Sequence, residues 1–285
     1  MCKKASLITQ LTISALGLVP AYIHAQTEQG AVQAMYVLDC GTATAPDLSQ
    51  WTPGAHKGKP VNFSNNCYLI KHDKGWMLWD TGVSDELAKL PGGKVVAHDV
   101  RGIVRHPLTD QFRQLGVEPK AVNFIAFSHA HFDHVGNSRL FPQSTWLVQE
   151  SEYAAMFGPD TKRFGFLPEL YATMKNNPRK VLNGDHDVFG DQAVVVLSTP
   201  GHTPGHQSLL VRLPRTGAVI LSGDAVHLAE NFAHRRSPSF NADAEQTMAS
   251  IDKLRLLSAK HGAQLWINHD RQQSEAIRQA RQPIQ

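Results

Sequence analysis

This 285-residue chain has few long apolar runs, little cysteine and no large excess of one charge, and each shortage closes off a class of protein. Past the N-terminus no segment reaches the roughly 20 apolar residues that a bilayer span needs, so no membrane span is expected. Twenty-eight Lys and Arg stand against 25 Asp and Glu, a formal net charge of +3. No basic stripe runs along the chain, Arg235-Arg236 being a local pair, so a nucleic-acid partner is not expected. No repeat, low-complexity tract or Pro/Gly/Ser linker divides it, which predicts one large domain.

What apolar length there is stands at the start. "MCKKASLITQLTISALGLVPAYIHA" sets Lys3 and Lys4 before an apolar region from Leu7 to Val19, then Pro20 and small residues to Ala25. That is the layout of a secretory signal peptide, cleaved between Ala25 and Gln26. Thr9, Gln10, Thr12 and Ser14 interrupt the run, which tells against a membrane anchor. Export to the periplasm or beyond is therefore expected, with 1–25 removed and 26–285 forming a single domain. The leader holds two basic residues and no acidic one, so the charge falls to +1. Cys40 and Cys67 remain, one ending "MYVLDC" and the other opening "CYLI". If those strands pair antiparallel the two can face each other; a disulfide and two buried thiols both stay open.

The rest alternates β-rich runs with helical patterns. "AMYVLDC", "NCYLI" and "GWMLWDTG" predict three strands, the third closing at Asp80-Thr81-Gly82. Residues 41–66 then form a long loop containing Trp51. Leu108, Phe112 and Leu115 predict a helix over 99–116 stopping at Gly116. "AVNFIAF" and "STWLVQ" read as strands, "SEYAAMFG" as a helix capped by Ser151, and 159–180 as an irregular aromatic stretch. "AVVVLS", "SLLVRL" and "AVILSG" are three further strands. A helix over 242–260 buries Met248, Ile251, Leu254 and Leu257 and stops at Gly262, before a last strand in "AQLWINHD". The pattern predicts a layered α/β fold with helices outside.

Metal-type residues recur where predicted strands end. His129 and His131 follow "AVNFIAF", His202 follows "AVVVLSTPG", Asp224 follows "AVILSG" and His269 follows "QLWIN". Strand ends are where open sheets gather ligands onto one rim. In extended chain His129 and His131 project to the same side, while Asp133 and His134, past the turn, suit a neighbouring position. Seven donors exceed the needs of one tetrahedral zinc. Two ions about 3.5–4 Å apart accommodate them if a carboxylate bridges, and such pairs serve hydrolytic displacement. On this reading His129, His131 and His202 hold one ion, Asp133, His134 and His269 the other, and Asp224 spans both. An imidazole-rich set favours Zn2+, with iron, cobalt and manganese as alternatives. A histidine-rich segment also arises as a solvated turn; the donors downstream tell against that here.

At these residues "HAHFDH", "TPGHTPGHQSLLV", "LSGDA" and "INHD" resemble the metallo-β-lactamase superfamily. Within it the chain looks most like the N-acyl-homoserine lactone lactonases, from "YVLDCG" through "WDTG" and "GDHDVFGD" to "SIDKLRLLSAKHGAQLWINHD". The resemblance implies an αβ/βα sandwich of two mixed sheets with helices on the outer faces, a dinuclear centre at one edge, and a quorum-signal lactone as substrate. It departs from the pattern once. Lactonases place a tyrosine three residues after the bridging aspartate, where its hydroxyl helps hold the substrate carbonyl; here that position is His227. An imidazole N–H is also a donor, with another reach and pKa; the alternative is a solvent-facing loop histidine.

The implied reaction is opening of the lactone by a hydroxide bridging the two ions, with Asp133 binding metal and handling the proton of that water. Asp80 and His206 are candidates for fixing a ligand histidine's tautomer. The other readings are a turn cap for Asp80 and a bond within the Gly/Pro loop for His206. Trp51, Phe63, Phe157, Phe164, Phe166 and Phe232 are candidate walls for an acyl chain, or else ordinary packing. His56, His72, His98, His106, His186, His234 and His261 have no ligand spacing. Two other classes compete: a β-lactamase, aryl-ester, phosphotriester or thioester hydrolase on the same centre, and a non-catalytic metal-binding protein. Asp224 counts against the commonest lactamase layout, and the full donor set against the second class. A homodimer stays open.

Overall fold

Runs rich in Val, Ile, Leu and aromatics form two mixed sheets that face each other. The computed structural model describes Met1 and residues 31–97, 99–280 and 282–285; the rest of the expected leader and His98 lie outside these. The first sheet comprises β1 (Val32–Ala45), β2 (Val61–His72), β3 (Gly75–Trp79), β4 (Lys94–Ala97), β5 (Val100–Ile103), β6 (Val122–Ala126), β7 (Thr145–Gln149) and β8 (Arg179–Leu182). Its order is β4-β5-β1-β2-β3-β6-β7-β8. The second comprises β9 (His186–Asp187), β10 (Val194–Ser198), β11 (Gln207–Leu213), β12 (Gly217–Leu221) and β13 (Gln264–Trp266), in the order β13-β12-β11-β10-β9.

Between the sheets, Met35, Ile70, Met77 and Trp79 meet Val194, Leu209, Val219 and Leu221, all buried. Each such side chain contributes about 1.5–3 kcal/mol by leaving water. On the outer face of the first sheet, Leu108, Phe112 and Met156 bring the helices Leu108–Leu115 and Glu150–Phe157 onto Leu69, Leu78, Ile125 and Trp146. On the outer face of the second, Ile251 and Leu254 of the helix Ala244–His261 cover Leu210 and Ile220. The αβ/βα sandwich is as expected, and among the described residues no helix is long and apolar enough to cross a membrane.

Several local expectations need correction. β1 runs on to Ala45 and pairs with a β2 that starts at Val61, so the loop expected over 41–66 shrinks to 46–60. A register shift between Asp39 and Thr42 lets the pairing continue past Gly41. The helix expected from 99 starts only at Leu108, because β4 and β5 pair as a hairpin on the sheet edge. Ser151 caps nothing: Gln149 holds the N-cap position and the Ser151 hydroxyl donates to the Pro204 carbonyl. The helix Arg271–Gln279, capped by Asp270, was not anticipated.

The antiparallel β1–β2 pairing also decides the cysteines. Leu38 lies opposite Cys67, and the following register shift brings Cys40 to it as a disulfide with Cα atoms 5.7 Å apart.

Candidate metal centre

Parallel pairing of β3 with β6 and of β12 with β13 ends these strands on one edge. The chain leaves β6 into His129 and His131, then turns through the short helix Phe132–Val135, which carries Asp133 and His134. His202 follows β10, Asp224 follows β12 and His269 follows β13. All seven donors predicted from the sequence meet there, and apart from His131, which is half-buried, all are buried.

His129 Nε2, His131 Nδ1 and His202 Nε2 form a triangle with sides of 2.8, 3.1 and 3.1 Å. The other nitrogen of each ring is spoken for. His131 Nε2 faces the Phe164 carbonyl at 2.8 Å and His202 Nδ1 faces Asn241 Oδ1 at 2.8 Å. These oxygens can only accept, so the outward nitrogens carry the protons and the inward ones present lone pairs. Ser128 Oγ donates to Asp80 Oδ2 at 3.1 Å, leaving it to accept from His129 Nδ1 at 3.0 Å. Three lone pairs so close with no proton among them repel one another unless a cation sits between them. Such spacing suits nitrogens sharing one ion at about 2.0–2.1 Å.

The second group repeats the device. His134 Nδ1 donates to Asp80 Oδ2 at 2.9 Å, and His269 Nδ1 to the Ser64 carbonyl at 2.8 Å. Their Nε2 atoms converge with the Asp133 carboxylate, at 3.9 Å from Oδ1 for His134 and 3.7 Å from Oδ2 for His269. Asp224 stands between the groups. Its Oδ1 lies 3.3 Å from His134 Nε2 and 3.0 Å from His269 Nε2, while Oδ2 lies 3.5 Å from His202 Nε2 and 3.8 Å from His129 Nε2. Among the described residues, buried His134 Nε2 and Asp224 Oδ1 have no hydrogen-bond partner. The donor set thus fits two cations with a shared carboxylate.

Electrostatics follow from burial and these neighbours. Burial pushes His131 down to about 4 and holds His129 and His202 well below the ordinary histidine value, so their rings are neutral. For Asp224, burial opposes ionisation, but the imidazoles beside it, His269 foremost, outweigh it and hold the carboxyl well below its usual range.

Asp80 acts from behind the site, orienting His134 as one of its two readings held. His206 does not orient a ligand ring. Its Nδ1 donates to the Thr199 carbonyl at 3.0 Å and its Nε2 accepts from the Asp224 backbone N–H at 2.9 Å, so it fixes the Asp224 loop. His227 is no solvent-facing loop residue. It is 2 % exposed, with Nε2 at 2.9 Å from Asp224 Oδ2 and its ring 20° from parallel to that of His269. Glu152 was missed. Buried, it accepts from Ala130 N–H at 3.0 Å, Thr203 Oγ at 2.8 Å and Gly205 N–H at 2.8 Å. No motif around it signals this, because its partners are backbone and loop atoms from elsewhere.

A cavity of about 170 Å³ opens over the donors. Of the six candidate walls Trp51, Phe63 and Phe164 line it, joined by Phe132, Val100 and Phe240, which the sequence did not single out. Three other candidate walls are elsewhere. Phe157 packs on Trp146 and Tyr171, Phe166 is buried beside His131, and Phe232 joins the helix layer over the second sheet. The described histidines without ligand spacing stay outside the donor cluster; His56 pairs with Glu230, and His72 stacks on Phe189 at 4.0 Å.

Residues 61–260 match the metallo-β-lactamase superfamily, and the chain belongs to that superfamily of hydrolases. It is 34% identical over 230 residues to the N-acyl homoserine lactonase AttM of Azorhizobium caulinodans, spanning 76% of this chain and 84% of that one. To the N-acyl homoserine lactonase AiiA of Bacillus thuringiensis subsp. kurstaki it is 31% identical over 254 residues, spanning 87% and 97%. A solved N-acyl homoserine lactone hydrolase, with N-hexanoyl-L-homoserine bound at its catalytic metal centre, matches with a TM-score of 0.75. The identity is 28%, over 86% of this chain and 96% of that one.

Proposed function

We propose that this chain hydrolyses the ester bond of N-acyl-homoserine lactones with two divalent cations, zinc first among them. The observation that carries the reading is the set of five histidines with oriented inward nitrogens around a shared Asp224, beneath an apolar cavity. The relatives' names supply the substrate class. His129, His131 and His202 would hold one cation, Asp133, His134 and His269 the other, with Asp224 between them. When bound, two such cations supply Lewis acidity, which polarises the ester carbonyl and stabilises the ring oxygen as it leaves.

The chain's own residues do the rest. Trp51, Phe63 and Phe240 offer an apolar wall to the acyl chain, with Trp51 and Phe240 packed edge to face at 5.4 Å. Asp133 lines the same cavity and would accept the proton of the attacking water. The Nε2–H of His227, directed at Asp224 Oδ2 on the cavity wall, would serve as a donor to the substrate carbonyl.

The Cys40–Cys67 disulfide supports export, since such bonds persist in oxidising compartments. The test is lactone opening across acyl lengths, with a cephalosporin and paraoxon assayed in parallel and metal measured on the same sample. Asp224→Ala should abolish turnover and leave less than two equivalents of metal; preference for the cephalosporin, or full activity in the variant, sinks the proposal.

A further inference from the structure

Behind the donors lie two buried frameworks that do not share a residue. Among the described residues, the Glu152 carboxylate hydrogen-bonds only to the loops of the His129/His131/His202 group. One carboxylate oxygen takes the N–H of Ala130, between His129 and His131, and the other takes Thr203 Oγ and the Gly205 N–H, beside His202. Gly205 approaches so closely that a Cβ there would lie 2.3 Å from the Glu152 backbone nitrogen, so the loop docks against this helix without a spacer.

Among the described residues, the Asn65 side chain hydrogen-bonds only on the side of the other group. Fully buried, its amide donates to the carbonyl of Asp133, and its Oδ1 accepts from Asn268 Nδ2 at 2.7 Å. Asn268 in turn accepts from the Asn66 N–H at 2.9 Å, and its carbonyl takes the Ser64 hydroxyl at 2.7 Å. Ser64, through its own carbonyl, orients His269. Asp80 belongs to neither framework and reaches both donor groups, holding His134 directly and His129 through Ser128.

We propose that Glu152 and Asn65 are positioning residues that set the two cation pockets independently, Glu152 the all-histidine pocket and Asn65 the Asp133/His134/His269 pocket. This rests on the two-cation reading above. In both pockets ligands lose affinity when the groups aiming them lose their partners, by roughly 10–100-fold. In Glu152→Gln an amide NH2 faces N–H donors where an oxygen accepted. In Asn65→Leu the Asp133 carbonyl and Asn268 amide are left buried without partners.

The experiment is cobalt loading of stripped, folded protein, with stoichiometry from elemental analysis, affinity by chelator competition and ion position by anomalous diffraction. Wild type should hold two equivalents. Glu152→Gln should weaken the ion at His129/His131/His202 at least tenfold and spare the other, Asn65→Leu the reverse, and Asp80→Asn should weaken both. Should Asn65→Leu fail to fold, Asn65→Ser gives the same readout with a smaller shift. Two ions lost in parallel in both single variants, or neither weakened, overturns the inference alone. A wild type holding at most one equivalent overturns the two-cation reading and this inference with it.

Discussion

Asp80 grips His134 from behind: its Oδ2 accepts from Nδ1 at 2.9 Å while Thr81 N–H holds the His134 carbonyl at 2.7 Å. To do so Asp80 adopts a left-handed backbone with φ +58°, which aspartate tolerates better than most residues. The turn is completed by Gly82 at φ +69°, where a Cβ would lie 2.4 Å from that of Cys40. Strand end, disulfide and ligand are therefore one packed unit.

Removing that grip should be felt as metal loss before it is felt as unfolding. Asp80→Ala is expected to lower metal affinity roughly 10–100-fold, with turnover recovered in excess zinc. Equilibrium dialysis at graded zinc concentrations checks this, and wild-type affinity in the variant would refute the orienting role.

His227 should act on the reaction and not on metal content. Among the described residues its Nδ1 is buried without a partner and its Nε2 pairs with Asp224 alone, so that contact is what commits its proton. His227→Phe is expected to keep two equivalents of metal and to lose roughly a hundredfold to a thousandfold in kcat, on the scale of one lost oxyanion donor. His227→Tyr should recover part of that loss. Unchanged kcat in His227→Phe would remove the residue from the mechanism.

Burial raises the Glu152 carboxyl to about 7. A folded pKa above the unfolded value means the folded state holds the proton more tightly. The neutral acid's full contribution is then present below about pH 4.5 and lost as pH rises through about 7. Above that window the buried anion costs about 3 kcal/mol. Chelator-stripped protein should lose stability across this range, and Glu152→Gln should flatten that part of the curve. Urea melts at pH 5 and pH 8 decide it; an equal drop in both proteins is the contrary result.

The disulfide closes a segment of 27 residues in sequence separation. Chain entropy alone assigns such a loop about 3–4 kcal/mol of stabilisation. The double variant Cys40→Ser with Cys67→Ser should melt at correspondingly lower denaturant while binding metal when folded. An unchanged midpoint contradicts this.

The elements that were legible from the sequence are those whose signal is local. β6, β10, β11 and β12 each centre on a short apolar run, and the helix Ala244–His261 carries its apolar face and its Gly262 stop within one window. The hairpin of β4 and β5 was not legible, because residues of mixed polarity on a sheet edge are ordered by the neighbouring strand rather than by their own pattern. Phe240 escaped notice for a related reason: an aromatic in a polar loop becomes a cavity wall only once Trp51 packs against it.

By itself the sequence determined the chemistry of the donors, since imidazole and carboxylate at strand ends are a matter of residue type and spacing. It also determined that apolar faces would stack as sheets and helices. Only the tertiary structure decided which nitrogen of each histidine faces inward, because that depends on Phe164, Asp80, Asn241 and Ser64, contributed by distant segments. Hydrogen bonds reach about 3 Å in space and take no account of separation along the chain, so these choices have no signature in the order of residues.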